Sequence, residues 1–274
     1  MDIDSEIYTL RGNFDLILLS ACNMSCKGCS YLDYLDEGCV IDGSLTLDDV
    51  KKIVNKLLNL KLKLQRLTML GGEPSIHKQF FEIVEYLHQY KNIIYDELKV
   101  VTNGLFFNEK FLKSLDYLDS VRISIYPMNK KIEEEVINSD LGKYIQLKCN
   151  LEFHRRDTFQ DYTKPLPGFT GDEKWNMCWK KKWCRVLTFE GIYRCHIAYN
   201  DRTEICDFSS REKLINYIEN ETVSLKKCET CPLPCQHMKW ESNNEKKDRN
   251  NIEKGIKLIK QWKTTINLQK YKKL

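Results

Sequence analysis

The chain has 274 residues, of which 42% are hydrophobic and 30% charged, with a formal net charge of +4. This length suits one large domain or one domain with an appendage, and the composition is that of a globular rather than a disordered or fibrous protein. No apolar run is long enough to span a bilayer, and the first residues lack the basic segment and apolar core of a signal peptide. We therefore expect a cytoplasmic protein without membrane contact.

Short apolar runs alternate with helical patterns along the first 155 residues. The runs predict five strands, at Phe14–Ser20, Gln65–Leu70, Leu98–Thr102, Val121–Tyr126 and Ile145–Phe153. Apolar residues at helical spacing predict helices at residues 46–60, Gln79–Lys91, Asn108–Leu118 and Lys130–Asn138. Such alternation indicates βα units and parallel strands. We predict an α/β fold with a partial, open, TIM-like barrel of five or six parallel strands, because the repeat is too short for eight units.

The alternation stops at about Arg155, and cysteines become frequent. RVLTFE and IYRC flank Gly191 like the arms of a hairpin, and Ser210–Thr222 predicts a helix. We therefore divide the chain into a βα core (1–155), a cysteine-rich extension (156–236) and a basic helical tail (237–274). From Gln236 onward eleven Lys and Arg face four Asp and Glu. A basic tail can bind nucleic acid, a membrane surface or an acidic peptide, and the alternative is a solvated Lys-rich helix without a partner.

The chain contains twelve cysteines. In a reducing compartment clustered cysteines indicate metal or redox chemistry rather than disulfides. Cys22, Cys26 and Cys29 form a C-x3-C-x2-C motif just after the first strand, where βα enzymes place their chemistry. A zinc site normally has four protein ligands, or three and a water molecule. Three cysteines without a fourth nearby favour an iron–sulfur cluster with one iron open to an external ligand, and zinc remains the alternative.

Further motifs follow the next strands. They are Gly71-Gly72-Glu73-Pro74 after the second strand, VTNG (101–104) after the third and ISIY (123–126) in the fourth. Together with the cysteine motif, in this order, they make residues 14–154 resemble the radical S-adenosylmethionine (SAM) superfamily. The resemblance implies a [4Fe–4S] cluster on the three cysteines, with the amino and carboxylate groups of SAM on the fourth iron.

The resemblance also assigns residues to SAM. The backbone of the GGEP segment binds the SAM ammonium with support from Glu73, and the later motifs contact ribose and methionine. The residues implied are Gly71, Gly72, Glu73, Pro74, Thr102, Asn103, Ser124 and Tyr126. Most members carry an aromatic residue immediately before the third cysteine, where it contacts adenine. This chain has Gly28 there, so we expect Tyr31 or backbone groups to hold the adenine.

A second group of cysteines resembles the SPASM/twitch extension of the same superfamily. Its pattern is C-x5-C-x6-G-x3-C followed by C-x2-C-x3-C, and the candidate ligands are Cys178, Cys184, Cys195, Cys228, Cys231 and Cys235. Because no cysteine follows the last of these, the resemblance implies the shorter twitch form, with one auxiliary [4Fe–4S] cluster. Cys195, Cys228 and Cys231 are the expected ligands. Either Cys178 or Cys184 completes the set, or both are ligands and one later cysteine is not. A zinc knuckle is the alternative.

Charged and titratable residues stand at the ends of the fourth and fifth strands. His154, Arg155 and Arg156 follow the fifth strand, where loops face the reaction chamber of a barrel. An imidazole there can accept the proton that leaves when a substrate radical becomes a carbonyl or alkene, and the arginines can hold an anionic group. Arg122 shares a strand face with Ser124 and can bind a carboxylate through two N–H groups. The alternative for each charged residue is an exposed position.

The resemblance leaves two substrate classes. A small molecule such as a sugar, aminocyclitol or glycan precursor would be oxidised, whereas a ribosomally made peptide would be crosslinked or epimerised. Peptide-modifying relatives often carry an N-terminal peptide-binding domain, and only about twenty residues precede Cys22, which favours the small molecule. A flavodoxin- or ferredoxin-type reductant is the expected partner. A non-catalytic iron–sulfur or zinc protein that binds nucleic acid through its basic tail is the rival class, and it leaves GGEP unexplained.

Overall fold

The structure is a computed structural model that describes residues 6–29, 44–178, 185–200, 203–220 and 226–265. The strands are β1 (Tyr8–Leu19), β2 (Leu62–Gly71), β3 (Tyr95–Thr102), β4 (Ser120–Ile125), β5 (Asn150–Arg155), β6 (Thr158–Pro165), β7 (Arg185–Leu187), β8 (Gly191–Tyr193), β9 (Ile205–Asp207) and β10 (Cys235–Lys239). The α-helices are α1 (Leu47–Asn59), α2 (Phe80–His88), α3 (Glu109–Ser114), α4 (Lys130–Ile137), α5 (Asp140–Lys148), α6 (Gly171–Met177), α7 (His196–Asn200), α8 (Arg211–Glu219), α9 (Lys227–Thr230) and α10 (Glu245–Thr265). Single 3-10 turns lie at Pro74–Ile76, Leu115–Tyr117 and Pro127–Asn129.

Eight strands form one sheet, in the order β5-β4-β3-β2-β1-β7-β8-β9. The ladders from β5 through β1 to β7 are parallel, so six parallel strands lie side by side. The hairpin of β7 and β8, predicted around Gly191, is antiparallel and is extended by β9. Among the described strands β5 pairs only with β4, so the sheet stays open. The predicted α/β fold with an open partial barrel of five or six parallel strands is confirmed.

Helix α1 shows how local sequence sets an element that covers this sheet. Thr46 accepts a hydrogen bond from the backbone N–H of Asp49 (3.2 Å), and the Asp49 carboxylate accepts one from the N–H of Thr46 (3.1 Å). This reciprocal cap satisfies two backbone donors and contributes about 1 kcal/mol. The apolar face of the helix is buried and consists of Val50, Ile53, Val54 and Leu57.

The predicted fifth strand, Ile145–Phe153, begins too early. Helix α5 occupies its first residues, and the strand begins at Asn150. Ser139 caps this helix by accepting a hydrogen bond from the N–H of Gly142 (3.2 Å). Leu141 and Ile145 are buried at a spacing of four residues, which is the helical period. The apolar residues before Asn150 therefore face the core from a helix.

Segments predicted to be irregular or to form a tail make a second sheet. β6 pairs antiparallel with β10, and α10 then packs against α4 and α5. Gly255 lets α10 approach closely, because a Cβ there would lie 3.0 Å from Cα and O of Leu105. The indole N–H of Trp262 donates to the carbonyl of Phe107 (2.7 Å). The predicted boundary between residues 236 and 237 thus falls inside β10, and the C-terminal helix lies on the βα core.

None of the helices in the described parts of the chain combines the length and apolar character needed to cross a bilayer.

Replacing Gly255 by Leu should lower the free energy of unfolding by about 1–3 kcal/mol, because the side chain has no room between α10 and the backbone of Leu105. The matched control is Lys254→Leu, at an exposed position of the same helix, which should change stability little. Urea unfolding of both variants measures the difference. Equal stabilities would show that α10 does not pack against this part of the core.

Candidate active site

A cavity of about 680 Å³ lies at the C-terminal ends of the parallel strands. It gathers residues from β1 to β5 and from the loops that follow them. The predicted site residues that line it are Cys22, Cys26, Cys29, Gly71, Gly72, Glu73, Thr102, Asn103, Arg122, Ser124, Tyr126, His154 and Arg155. Pro74 is buried at the start of the 3-10 turn after β2, and Tyr31 lies outside the described residues.

Glu73 joins the ends of β2 and β3. Its carboxylate accepts hydrogen bonds from the N–H and hydroxyl of Ser75 (3.0 and 2.6 Å), the hydroxyl of Thr102 (2.6 Å) and the N–H of Asn103 (2.7 Å). The side chain is 1% exposed, and burial raises its pKa while these hydrogen bonds oppose the rise. Two of the three partners belong to the VTNG motif, so both motifs form one buried network.

The two glycines of GGEP serve a close approach between strand ends. A Cβ on Gly72 would lie 2.0 Å from the carbonyl oxygen of Ala21, and one on Gly71 would lie 2.5 Å from that of Leu19. The N–H of Gly72 donates to Leu19 (2.7 Å), and that of Glu73 donates to Ala21 (2.9 Å). Because an ammonium only donates hydrogen bonds, the groups that this edge can offer it are carbonyls. The glycines also hold the start of the cysteine loop against β2.

The three cysteines after β1 border one cavity and share one electrostatic environment. Burial is the main cause that raises the pKa of Cys22, and it raises the pKa of Cys26 to about 12. The neighbouring thiols contribute to both of these raised pKa values, because thiolate charges repel one another. Holding all three sulfurs as thiolates would therefore require a bound cation.

The donor set fits an iron–sulfur cluster. The N–H of Met24 and the side-chain amide of Asn103 point at the sulfur of Cys22 (3.4 and 3.8 Å), as N–H groups do around cluster thiolates. Within the described ranges, no three Cys, His, Asp or Glu side chains lie close enough together to hold a single metal ion. A cubane spreads its thiolate ligands over several irons, and so it needs no such convergence.

The segment after β10 runs along the cysteine loop. Cys26 and Ser242 form an antiparallel bridge, and the N–H of Lys27 donates to the carbonyl of Glu241 (3.0 Å). The N–H of Asn243 donates to the loop as well, at the carbonyl of Ser25 (2.7 Å). A segment predicted to be a tail therefore holds the cluster loop in place.

Sequence reasoning missed the residues that close the cavity from the β6–β10 side, of which Phe159, Gln160 and His237 line it. Phe159 and Trp240 both pack against Tyr126, at ring distances of 5.7 and 5.8 Å. The threonine and aromatic residues of TFQDYT, from Thr158 onward, are types that are common in strands and were the available signal. His196 also lines the cavity, directly after Cys195 in the chain, and no motif indicated it.

Arg122 lines the cavity but is already paired. Its guanidinium binds the Glu152 carboxylate (2.9 Å), and the same carboxylate accepts from the ammonium of Lys99 (2.6 Å). Arg122 and Glu152 are direct partners in the β4–β5 register, so the pair spans adjacent strands. A substrate carboxylate at Arg122 would have to share the guanidinium with Glu152.

The three residues predicted after the fifth strand all line the cavity, but they differ in their partners. His154 lines the cavity and is half-buried, whereas Arg155 makes a two-point pair with Glu133 on α4. Arg156 lines the cavity, and its guanidinium forms no ion pair with the described parts of the chain. Burial, followed by the charge of Arg156, lowers the pKa of His154 to about 4. His154 is therefore a neutral imidazole at physiological pH, able to accept a proton.

Five of the six cysteines of the second group come together. Cys178 and Cys231 lie near enough to Cys195 for their charges to raise its pKa, which burial, the main cause, brings to about 11. Cys228 packs with Cys195 around Trp175, and Cys235 packs with Cys195 and Cys231. N–H groups again point at sulfur, those of Ile197 at Cys195 (3.4 Å) and Leu233 at Cys231 (3.5 Å). Cys184 lies outside the described residues.

Comparison with known sequences finds a match that includes the three cysteines and the GGEP segment of this site. Residues 16–147 match the sequence model of the radical SAM superfamily. GTP 3',8-cyclase from Cronobacter sakazakii (strain ATCC BAA-894) is 32% identical over 99 residues, which are 36% of this chain. The match spans only 28% of the cyclase.

Solved structures share the fold at low identity. BtrN in an open conformation has a TM-score of 0.52 and 16% identity, covering 83% of this chain and 92% of that chain. BtrN in complex with AdoMet and 2-DOIA has a TM-score of 0.50 and 14% identity, covering 78% of this chain and 84% of that chain. Streptococcus suis SuiB bound to precursor peptide SuiA has a TM-score of 0.45 and 12% identity, covering 83% of this chain and 71% of that chain. These likenesses leave the class of substrate unresolved.

The proton affinity of His154 provides a test of this geometry. Its ring should titrate with a midpoint of about 4 in a pH series of NMR spectra, because burial and nearby cations disfavour the imidazolium. Arg156→Gln removes the cation that acts on it most and should raise that midpoint. Since the unfolded chain binds this proton more tightly, its uptake below about pH 6 should destabilise the folded protein. A midpoint at the ordinary value of about 6.5 would contradict the placement of His154.

Proposed function

We propose, from the match of residues 16–147 to the sequence model of the radical SAM superfamily, that the protein is an enzyme that cleaves SAM reductively and removes a hydrogen atom from a small polar substrate. The 5′-deoxyadenosyl radical from SAM would be the abstracting species. Three cysteines that border the same cavity as the GGEP edge are the observation that carries this proposal. A flavodoxin- or ferredoxin-type protein would supply the electron.

The chain's own residues supply a binding site for both cofactors. When bound to Cys22, Cys26 and Cys29, a [4Fe–4S] cluster supplies one electron to the sulfonium of SAM held at its open iron. The carbonyl groups of the GGEP edge accept hydrogen bonds from the SAM ammonium. Ser124 lies in the cavity at the end of β4, where its hydroxyl can bind ribose or carboxylate. Tyr126, partly buried against Phe159 and Trp240, would help to keep water from this side of the site.

The remaining cavity favours a small substrate. Its volume of about 680 Å³ falls within the range of about 300–1,000 Å³ that small-molecule sites enclose, and SAM takes part of it. The β6–β10 ribbon borders the cavity through Phe159 and His237, which limits the room for an extended peptide. The fold shared with BtrN, solved with AdoMet and 2-DOIA bound, is compatible with SAM and a second ligand in one cavity.

Two residues at the end of β5 would handle the substrate. The neutral imidazole of His154 can accept the proton released when a substrate radical is oxidised to a carbonyl or alkene. Arg156 can hold an anionic group, and unlike Arg122 and Arg155 it has no carboxylate partner among the described residues. Both side chains face the cavity that would hold the radical.

Replacing Cys22, Cys26 and Cys29 together by Ala should abolish formation of 5′-deoxyadenosine, because no ligands for the cluster remain. The assay is anaerobic incubation of reconstituted protein with SAM and reductant, followed by quantification of 5′-deoxyadenosine. Cys206→Ala is the matched control, since Cys206 is buried on β9 within the hydrophobic core. SAM cleavage by the triple variant at the wild-type rate would refute radical SAM chemistry.

The same incubation with extracts of the source organism tests the substrate class. A consumed small metabolite identified by mass spectrometry supports the proposal, whereas a crosslinked or epimerised peptide would show that the substrate is a peptide.

We propose further that the second group of cysteines binds one auxiliary [4Fe–4S] cluster. Support comes from five cysteines that lie close together, in or directly beside α6, α7, α9 and β10. N–H groups point at two of these sulfurs. Lys174 helps to hold α6 against α9, donating to the carbonyls of Glu229 (3.1 Å) and Cys231 (3.0 Å). Such a cluster can accept the second electron when the substrate is oxidised.

Anaerobically reconstituted protein should then contain about eight irons per chain, two cubanes of four. Replacing Cys195, Cys228 and Cys231 by Ala should reduce this to about four while SAM cleavage persists, because the first cluster keeps its ligands. Iron analysis and the 5′-deoxyadenosine assay on the same sample make the measurement. About four irons and one zinc in the wild-type protein would show that the second site is a zinc knuckle.

A further inference from the structure

We propose that Trp240 is a positioning residue that donates its indole N–H to the sulfur of Cys26 and so raises the reduction potential of the cluster on Cys22, Cys26 and Cys29. Trp240 lies outside the region that matches the superfamily, in the segment after β10. This inference rests on the proposed function, since it concerns the same three cysteines.

The backbone brings Trp240 to the cysteine loop. Its own N–H donates to the carbonyl of Asp157 (3.0 Å), which ties it to the turn between β5 and β6. Two residues later Ser242 forms its bridge with Cys26, and the carbonyl of Glu241 accepts from the N–H of Lys27. Trp240 is therefore held on both sides, and its position does not depend on its side chain alone.

The side chain lies in a dry environment beside the sulfurs. Trp240 is 8% exposed and stacks on Tyr126, with ring centroids 5.8 Å apart and an interplanar angle of 17°. Trp240 and Cys26 belong to one cluster of buried side chains, and Tyr126 and Cys29 pack against that cluster. The stack thus lies beside the cysteine loop.

The indole N–H is buried and has no hydrogen-bond partner within the described parts of the chain. A buried donor of this kind is costly unless an acceptor meets it. Trp240 and Cys26 are buried in one cluster of side chains, and the bridge between Cys26 and Ser242 lies only two residues from Trp240, so the sulfur of Cys26 is the acceptor that we assign to the indole. A thiolate sulfur carries more negative charge than a thiol sulfur. The Cys26 thiolate would therefore accept the hydrogen bond from the Trp240 indole.

The effect on the cluster follows from the charge on sulfur. Reduction adds negative charge to the cluster, part of which resides on its thiolates, so an N–H donor stabilises the reduced form more than the oxidised form. The buried Asp248 carboxylate faces Cys26 as well and acts in the opposite direction. It accepts from the N–H of Ser25 (3.1 Å) and the hydroxyl of Ser242 (2.7 Å), so it also helps to hold the loop. Trp240 offsets this negative charge.

Trp240→Phe removes the N–H and keeps an aromatic ring against Tyr126. Reconstituted full-length protein is titrated with reductant, and the EPR signal that changes on addition of SAM identifies the cluster with the open iron. Its midpoint potential should move to a lower value in Trp240→Phe, with iron content and SAM binding unchanged. Trp262→Phe is the matched control, because its indole N–H donates to the carbonyl of Phe107, and its midpoint should stay at the wild-type value.

A second measurement uses the wild-type protein, in case Trp240→Phe assembles its cluster poorly. Protein labelled with ¹⁵N in the tryptophan indole should show a ¹⁵N coupling to the reduced, SAM-responsive cluster by pulsed EPR. A fully loaded Trp240→Phe with the wild-type midpoint, or a wild-type protein without this coupling, would overturn the inference and leave the proposed function standing. Failure of the wild-type protein to assemble any cluster on the three cysteines would overturn both.

Discussion

The buried carboxylate of Glu73 is the interaction on which the rest of the site depends. It accepts hydrogen bonds from Ser75, Thr102 and Asn103, and so it joins the end of β2 to the end of β3. Asn103 in turn donates to the side chain of Asn23 in the cysteine loop (2.6 Å). Because an unsatisfied buried carboxylate is costly, these donors have little freedom to move, and the GGEP edge and the cysteine loop keep one relative position.

The C-terminal segment gives the cysteine loop its second support. From Glu241 to Asn243 it pairs with the loop through backbone hydrogen bonds, and the Asn251 side chain on α10 donates to the carbonyl of Asn23 (2.6 Å). The first support comes from inside the barrel and the second from outside it. A loop that must hold three mutually repelling sulfurs is thus fixed on two sides, which reduces the ordering that cofactor binding requires.

The distribution of charge around the cavity separates structural from available groups. Arg122 is neutralised by Glu152 on the neighbouring strand, and Arg155 is neutralised by Glu133 outside the barrel. Arg156 and the neutral imidazole of His154 remain at the cavity wall. A substrate that brings an anionic group would find its counter-charge at Arg156, beside a proton acceptor.

The sequence by itself determined the parallel βα architecture and the grouping of the first three cysteines with GGEP, VTNG and Ser124. Both follow from short-range rules, since hydrophobic period sets the element and parallel strands bring the residues that follow them to one edge. Only the tertiary structure decided that the segment read as a tail closes the site, since Ser242 pairs with Cys26 across more than two hundred residues of chain. It likewise decided which arginine stays available, because ion pairing depends on partners such as Glu133 that periodicity does not reveal. Contacts of this kind arise from packing between distant elements, and no local pattern encodes them.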